Sequence, residues 1–235
     1  MRILALLTAV LLTLSWQPAV GAIKLGLNYP ETGRYQEEGL QQRLGAYLAI
    51  DEINASGGIL GQPVELITRN TRSDPERGAR NTAELIDKHD VQMVFGGVSS
   101  AVAIASGQVA RERDRIYFGT LTYANATTGS SGHSHMFRES HSAWMAAKAL
   151  GQYLNQNHGD SRYFYITANY TWGWSVEESL RHFTDTSDTS AHPGTTTPFP
   201  SALTEDFRTA LEQAADADAE VLVLVLFGGD MVGAL

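Results

Sequence analysis

The segment Phe95-Gly96-Gly97-Val98-Ser99-Ser100 puts two glycines and two hydroxyls where an apolar strand gives way to a helical pattern. A helix N-terminus carries unpaired N–H groups and the positive end of the helix dipole, so such a junction suits a carboxylate or another anion. Glycine lets the backbone approach a ligand closely, and Ser99 and Ser100 add hydroxyl donors. The bland alternative is that one of these serines only caps the helix. The same stretch also approaches the G-x-S-x-G nucleophile elbow, with Ser99 as the nucleophile. Ala101 replaces its final Gly, and no downstream acid or histidine stands in a recognisable setting, so a serine hydrolase is the lesser reading.

Three further clusters could carry chemistry. Phe227-Gly228-Gly229-Asp230 repeats the strand–Gly–Gly–polar arrangement, and Asp230 could pair with a ligand ammonium or cap the helix that begins there. Trp172-Gly173-Trp174 follows a strand, where aromatics can wall a pocket or pack against the protein. His133, His135 and His141 raise the question of zinc, but their Ser/Gly-rich surroundings offer Glu139 as the one carboxylate at ligand spacing. A solvated linker without metal is the better account.

The elements that must position these residues alternate. Strands are expected over residues 23–28, 64–69, 91–95, 116–120, 162–167, 195–199 and 221–227, separated by helices with apolar residues at 3.6-residue spacing. In the first helix, over residues 40–55, Leu40, Leu44, Tyr47 and Leu48 share one face, which should lie against the core. Gly57-Gly58 ends that helix, and Asp74-Pro75 reads as the N-cap and first residue of the next. Strands separated by helices imply right-handed crossovers and mainly parallel sheets. The polar stretch 122–135 interrupts the rhythm, which divides the chain into two α/β lobes. In open α/β sheets ligands bind beyond the carboxyl ends of the strands. Residues 97–100, 120–123, 172 and 228–230 all fall there.

Composition narrows the classes. The chain has 235 residues, 43% of them hydrophobic, which is ordinary for a packed core. With no Cys, a disulfide scaffold, a thiol nucleophile and a Cys-ligated metal are excluded. The net charge of −9, with no basic cluster, argues against nucleic acid as a partner. Residues 1–22 read as a secretory signal: Arg2, an apolar run from Ile3 to Trp16, then Val20-Gly21-Ala22 as small residues before a cleavage point. The chain is expected to be exported.

The run from Gly45 to Gly61, GAYLAIDEINASGGILG, closely resembles a hallmark of the type I periplasmic solute-binding proteins, the leucine/isoleucine/valine-type receptors of ABC importers, which also include urea and amide receptors. Thr32-Gly33 with Gly39, Asp74-Pro75, the Gly-Gly-x-Ser-Ser turn, Phe137-Arg138 and Gly228-Gly229 follow in family order. The resemblance implies two Rossmann-like lobes, over residues 23–121 and 138–235, with a first inter-lobe crossover at 122–137. A small polar solute would be clamped between them, with no catalysis and no cofactor, and the partners would be a permease and an ATPase. It further implies that Ser99 holds a ligand carboxylate with Ser100 beside it. Thr120, Thr122 and Tyr123 would line the ligand's polar head, and Trp172 would be the second lobe's aromatic. Asp230 and Glu38 stand where the family commonly carries aromatics, which puts a branched aliphatic ligand in doubt, since an unpaired buried carboxylate is costly. By the same resemblance the chain lacks its C-terminal strands and helices and reads as truncated. A sensory module of the same fold is the alternative from another class.

Overall fold

A computed structural model describes residues 21–235, so the predicted leader lies almost wholly outside the described residues. Among the described residues no helix is long and apolar enough to cross a membrane.

The first lobe alternates as expected: β1 (Ile23–Tyr29), α1 (Gln36–Ala55), β2 (Val64–Asn70), α2 (Pro75–His89), β3 (Met93–Gly96), α3 (Ser100–Glu112) and β4 (Ile116–Gly119). The strands form a parallel sheet in the order β2-β1-β3-β4, with β1 paired on both sides: Leu25 stands opposite Leu66 on one side and Met93 on the other. A fifth parallel strand, β5 (Met136–Arg138), pairs with β4. The segment read as a crossover therefore also contributes a strand to the first sheet.

Local chemistry fixes the helix ends. Asp74 caps α2 by accepting a hydrogen bond from the Arg77 N–H at 2.6 Å, with Pro75 in the first turn. Gly57 and Gly58 close α1 at φ 97° and 78°, the left-handed region that glycine enters without steric cost. Helices α2 and α3 cover one sheet face over a core of Leu85, Val91, Val94, Ala103, Ala110 and Tyr117. Within that core the fully buried Asn28 amide donates to the Gly78 carbonyl at 2.8 Å and reaches the hydroxyls of Thr82 and Ser106 at 3.1 and 3.3 Å. One polar side chain thus ties β1 to both helices, which satisfies a group that would be costly to bury alone.

Helix α1 departs from expectation. It starts at Gln36, earlier than its apolar periodicity suggested, and buries Gly39 and Ile50. The face read as its core side is open: Leu44, Tyr47 and Leu48 are 58%, 43% and 61% exposed. Periodicity identified residues that share a face, but among the described residues no element covers that face.

The second lobe contains α4 (Ala143–His158), β6 (Tyr163–Ala168), α5 (Thr171–Thr184), β7 (Gly194–Thr197), α6 (Thr204–Asp216), β8 (Val221–Val225) and α7 (Gly229–Ala234). Its parallel sheet runs β7-β6-β8, and every residue of the central strand β6 is buried. Helices α4 and α5 pack on one face, where Ala147, Leu154, Tyr165, Leu180 and Val223 meet. On the other face Phe164, Ile166, Phe207 and Ala210 form a second cluster.

The passage between lobes thus follows β5 and precedes α4, later than the 122–137 expected, and the earlier segment Tyr123–Asn125 is anchored on both lobes. The Ala124 N–H donates to Ser100 Oγ at the start of α3, 3.1 Å away, and the Ala124 carbonyl accepts from Arg138 at 2.8 Å. One residue on, the Asn125 N–H and side-chain amide donate to Ser175 and Ser179 on α5 at 2.8 and 2.9 Å.

Candidate ligand cleft

The loop between β1 and α1 reaches out of the first lobe into the second. Tyr35, only 1% exposed, belongs to the second lobe's apolar cluster. Its ring lies 5.4 Å from Phe199, 5.6 Å from Phe227 and 6.4 Å from Tyr170, and its hydroxyl meets the Tyr170 hydroxyl at 2.6 Å. Burial pushes both phenols well above their usual range, so both stay neutral. Beside Tyr35, Arg34 forms an ion pair with Asp230 in the first turn of α7.

Two cavities flank this loop. The one nearer the crossover, about 470 Å³, is lined by Glu38, Gln41, Gln42 and Ala46 of α1 and by Phe95, Thr120, Leu121 and Glu139. Gln42 hydrogen-bonds Thr120 Oγ1 within it. The second, about 250 Å³, lies between the lobes: Arg72, Ser73, Asp74, Pro75, Ser99 and Ala101 face Tyr170, Phe199 and Pro200.

The residues singled out in the sequence divide between these places. Ser99 is 2% exposed and lines the inter-lobe cavity. It occupies the N-cap position of α3, yet its side chain makes no capping hydrogen bond, so the bland reading of Ser99 as a cap does not describe it. No histidine hydrogen-bonds Ser99 among the described residues, so no hydrolytic dyad is assembled there. Ser100 instead holds the Ala124 N–H, in the segment between β4 and β5. Thr120 and Glu38 share the cavity near the crossover. Thr122 is fully buried, and its hydroxyl has no partner among the described residues.

Tyr123 stacks on His141 at 4.7 Å, with its phenol pushed up by burial and by Glu139. Trp172 packs between Tyr170 and Phe227, with ring centroids 5.8 and 6.0 Å away, as part of the second lobe's core. Asp230 is 1% exposed and its charge is met by Arg34, which answers the objection that it would be an unpaired buried acid. The histidines scatter: His135 meets Asp114 at 2.9 Å, while His141 lies on Tyr123. No group of three metal-ligating side chains converges among the described residues.

Sequence reasoning missed Arg34, Tyr35, Tyr170, Phe199 and Gln42. All but Phe199 flank or follow positions already singled out, but nothing local distinguishes a loop aromatic that crosses to the other lobe from one that packs at home.

The sequence model of the family described as "Periplasmic binding protein" matches residues 22–235. The chain belongs to that family. The Leu/Ile/Val-binding protein homolog 8 of Brucella abortus is 34% identical over 130 residues, 55% of this chain and 32% of that relative. BraC3 of Rhizobium johnstonii, a Leu/Ile/Val-binding protein, is 29% identical over 177 residues, 74% of this chain and 48% of the relative. Among solved structures, a periplasmic binding protein of Burkholderia mallei superposes with a TM-score of 0.78 at 24% identity, over 91% of this chain and 56% of that one. The branched-chain amino acid transporter substrate binding protein LivJ of Streptococcus pneumoniae, in complex with isoleucine, gives 0.72 at 24% identity over 86% and 56%. These family members share the type I two-lobed α/β fold, and they are named as binding proteins rather than enzymes. The chain spans about half the length of the relatives and structures it matches.

Proposed function

We propose that the protein is the exported, periplasmic solute-binding component of an ABC importer. In this reading it captures a small polar solute between its two lobes and presents it to a permease and its ATPase, without chemistry of its own. The observation that carries the reading is Ser99: a nearly fully buried hydroxyl at a helix N-terminus, not spent on capping that helix, and open to a cavity walled by the opposite lobe. A hydroxyl and helix N–H groups placed there can hold an anion or a carbonyl oxygen, and Tyr170 and Phe199 can cover the rest of the solute. Closure then follows from contacts that exist only when both lobes meet the ligand. The Leu/Ile/Val-binding names of the relatives support an amino acid as the solute, and small amides and urea are the polar alternatives of similar size.

The test is calorimetric titration with amino acids, small amides and urea, using the wild-type chain and Ser99→Ala. One solute is expected to bind one-to-one and to lose about tenfold or more in affinity in the variant, the effect of deleting a hydrogen bond to a charged group. Silence across the panel, or an unchanged dissociation constant in the variant, contradicts the reading.

A further inference from the structure

We propose that the outer edge of β8 joins two copies of this chain, strand against antiparallel strand, so that the second lobe's sheet continues as β7-β6-β8-β8-β6-β7 across a two-fold axis. The inference stands apart from the solute cleft and needs no ligand. Four strands lie at the edges of the two sheets: β2 and β5 in the first, β7 and β8 in the second. An unpaired strand edge is a template for another chain, and proteins blunt it with charge, proline or brevity. Three of these four are blunted in that way. Strand β2 carries Glu65 and Arg69, β5 has three residues and ends on Arg138, and β7 lies between Pro193 and Pro198. Strand β8 reads Val221-Leu222-Val223-Leu224-Val225, five apolar residues with no such device. Among the described residues it pairs with β6 alone, and Leu222 is 40% exposed.

The order of its residues selects a second copy as the occupant. The run VLVLV reads the same in both directions, so antiparallel pairing about Val223 sets Val221 against Val225 and Leu222 against Leu224 on both sides of the axis. A two-fold contact requires this self-complementarity, and like apolar side chains then meet on both faces of the sheet. Charge permits the same pairing. The chain carries −9 overall, yet no charged residue lies between Glu220 and Asp230. In this register Glu220 faces Leu226, and its carboxylate accepts the Arg162 N–H, so two acidic chains meet here without opposing carboxylates. A stable dimer buries about 800 Å² on each partner, more than five paired residues supply. The apolar surface continues beyond them. Leu224 packs in one cluster with Phe207 and Leu211, which line an open groove of about 450 Å³ between α6 and α7, and Val232 on α7 is 76% exposed.

The test is sedimentation velocity of the purified chain from micromolar to near-millimolar concentration. A reversible dimer is expected, and Leu222→Lys should raise its dissociation constant about tenfold or more. Leu48→Lys, on the exposed face of α1, should leave it unchanged. The chain has no Cys, so an engineered thiol reads the register directly. Residues opposite one another in antiparallel strands lie within disulfide reach. Val223→Cys, which meets its own copy at the axis, is therefore expected to form a covalent dimer under air with copper phenanthroline, and Leu48→Cys is not. This second readout decides the matter if Leu222→Lys fails to fold. A monomer at every concentration overturns the proposal. So does a dimer untouched by a folded Leu222→Lys, one lost in Leu48→Lys, or cross-linking of Val223→Cys no faster than that of Leu48→Cys.

Discussion

Arg34 of the first lobe and Asp230 of the second form an ion pair across the cleft, with the carboxylate 1% exposed and the guanidinium 24% exposed. The pair holds the β1–α1 loop against α7, beside the Tyr35–Tyr170 contact, so two side-chain bonds join the lobes at this end of the cleft. A buried carboxylate is tolerable when paired and expensive when alone. Arg34→Ala is therefore expected to destabilise the chain by about 2–3 kcal/mol, at the low side for a broken buried pair because Arg34 is partly solvated. The double variant Arg34→Met, Asp230→Asn should recover most of that loss. Denaturant midpoints for the single and double variants check this, and additive losses would mean that the two residues do not interact.

The Tyr35–Tyr170 hydroxyl contact is a separate inter-lobe bond, 2.6 Å long and buried on both sides. Tyr35→Phe keeps the ring among Phe199, Phe227 and Tyr170 but leaves the Tyr170 hydroxyl without this partner. The expected loss is about 1 kcal/mol. Tyr35→Ala removes the ring as well and should cost about 3–5 kcal/mol, as for other buried aromatics. A similar loss in both variants would show that the ring contributes little.

Gly39 anchors the start of α1. A Cβ at this position would collide with the backbone carbonyl of Pro30, which cannot move aside as a flexible side chain does. Gly39→Ala is expected to cost more than about 2 kcal/mol, although alanine favours helix over glycine by about 1 kcal/mol elsewhere. Gly45 on the same helix has no heavy atom near its would-be Cβ, so Gly45→Ala should be neutral or stabilising. Thermal unfolding of the two variants side by side separates packing from propensity.

The sequence shows some of this and hides the rest for physical reasons. The Gly57-Gly58 terminator, the Asp74-Pro75 cap and the strand–helix alternation are local signals, and each appears in the fold close to where it is read. The turn that carries Ser99 is legible because glycines and hydroxyls at a strand end have few other uses. Leu44, Tyr47 and Leu48 show the limit, since spacing groups them on one face without saying what covers it. Arg34–Asp230 and Tyr35–Tyr170 were invisible because their partners lie far apart in the chain, and only the arrangement of the two lobes joins them. The anchoring of Asn125 on Ser175 and Ser179 is of the same kind.

Acid should loosen the first lobe's surface. The Arg113 guanidinium, hydrogen-bonded to Asp87 at 2.9 and 3.0 Å, holds that carboxyl below its usual range, and Arg69 does the same for Glu84. A carboxylate with a depressed folded pKa contributes stability above its unfolded value of about 4, and loses it as pH falls through the folded value. Unfolding midpoints should therefore drop as pH falls below about 4, and Arg113→Gln should flatten that slope. A slope identical to wild type would remove Asp87–Arg113 from the account.

The central claim is that a solute sits between the lobes on Ser99. A crystal structure of the chain grown with its tightest-binding solute tests this most directly. The account predicts a polar ligand atom within hydrogen-bond distance of Ser99 Oγ and the ligand body against Tyr170 and Phe199. A solute seated in the cavity of Glu38 and Thr120, with Ser99 untouched, would contradict it.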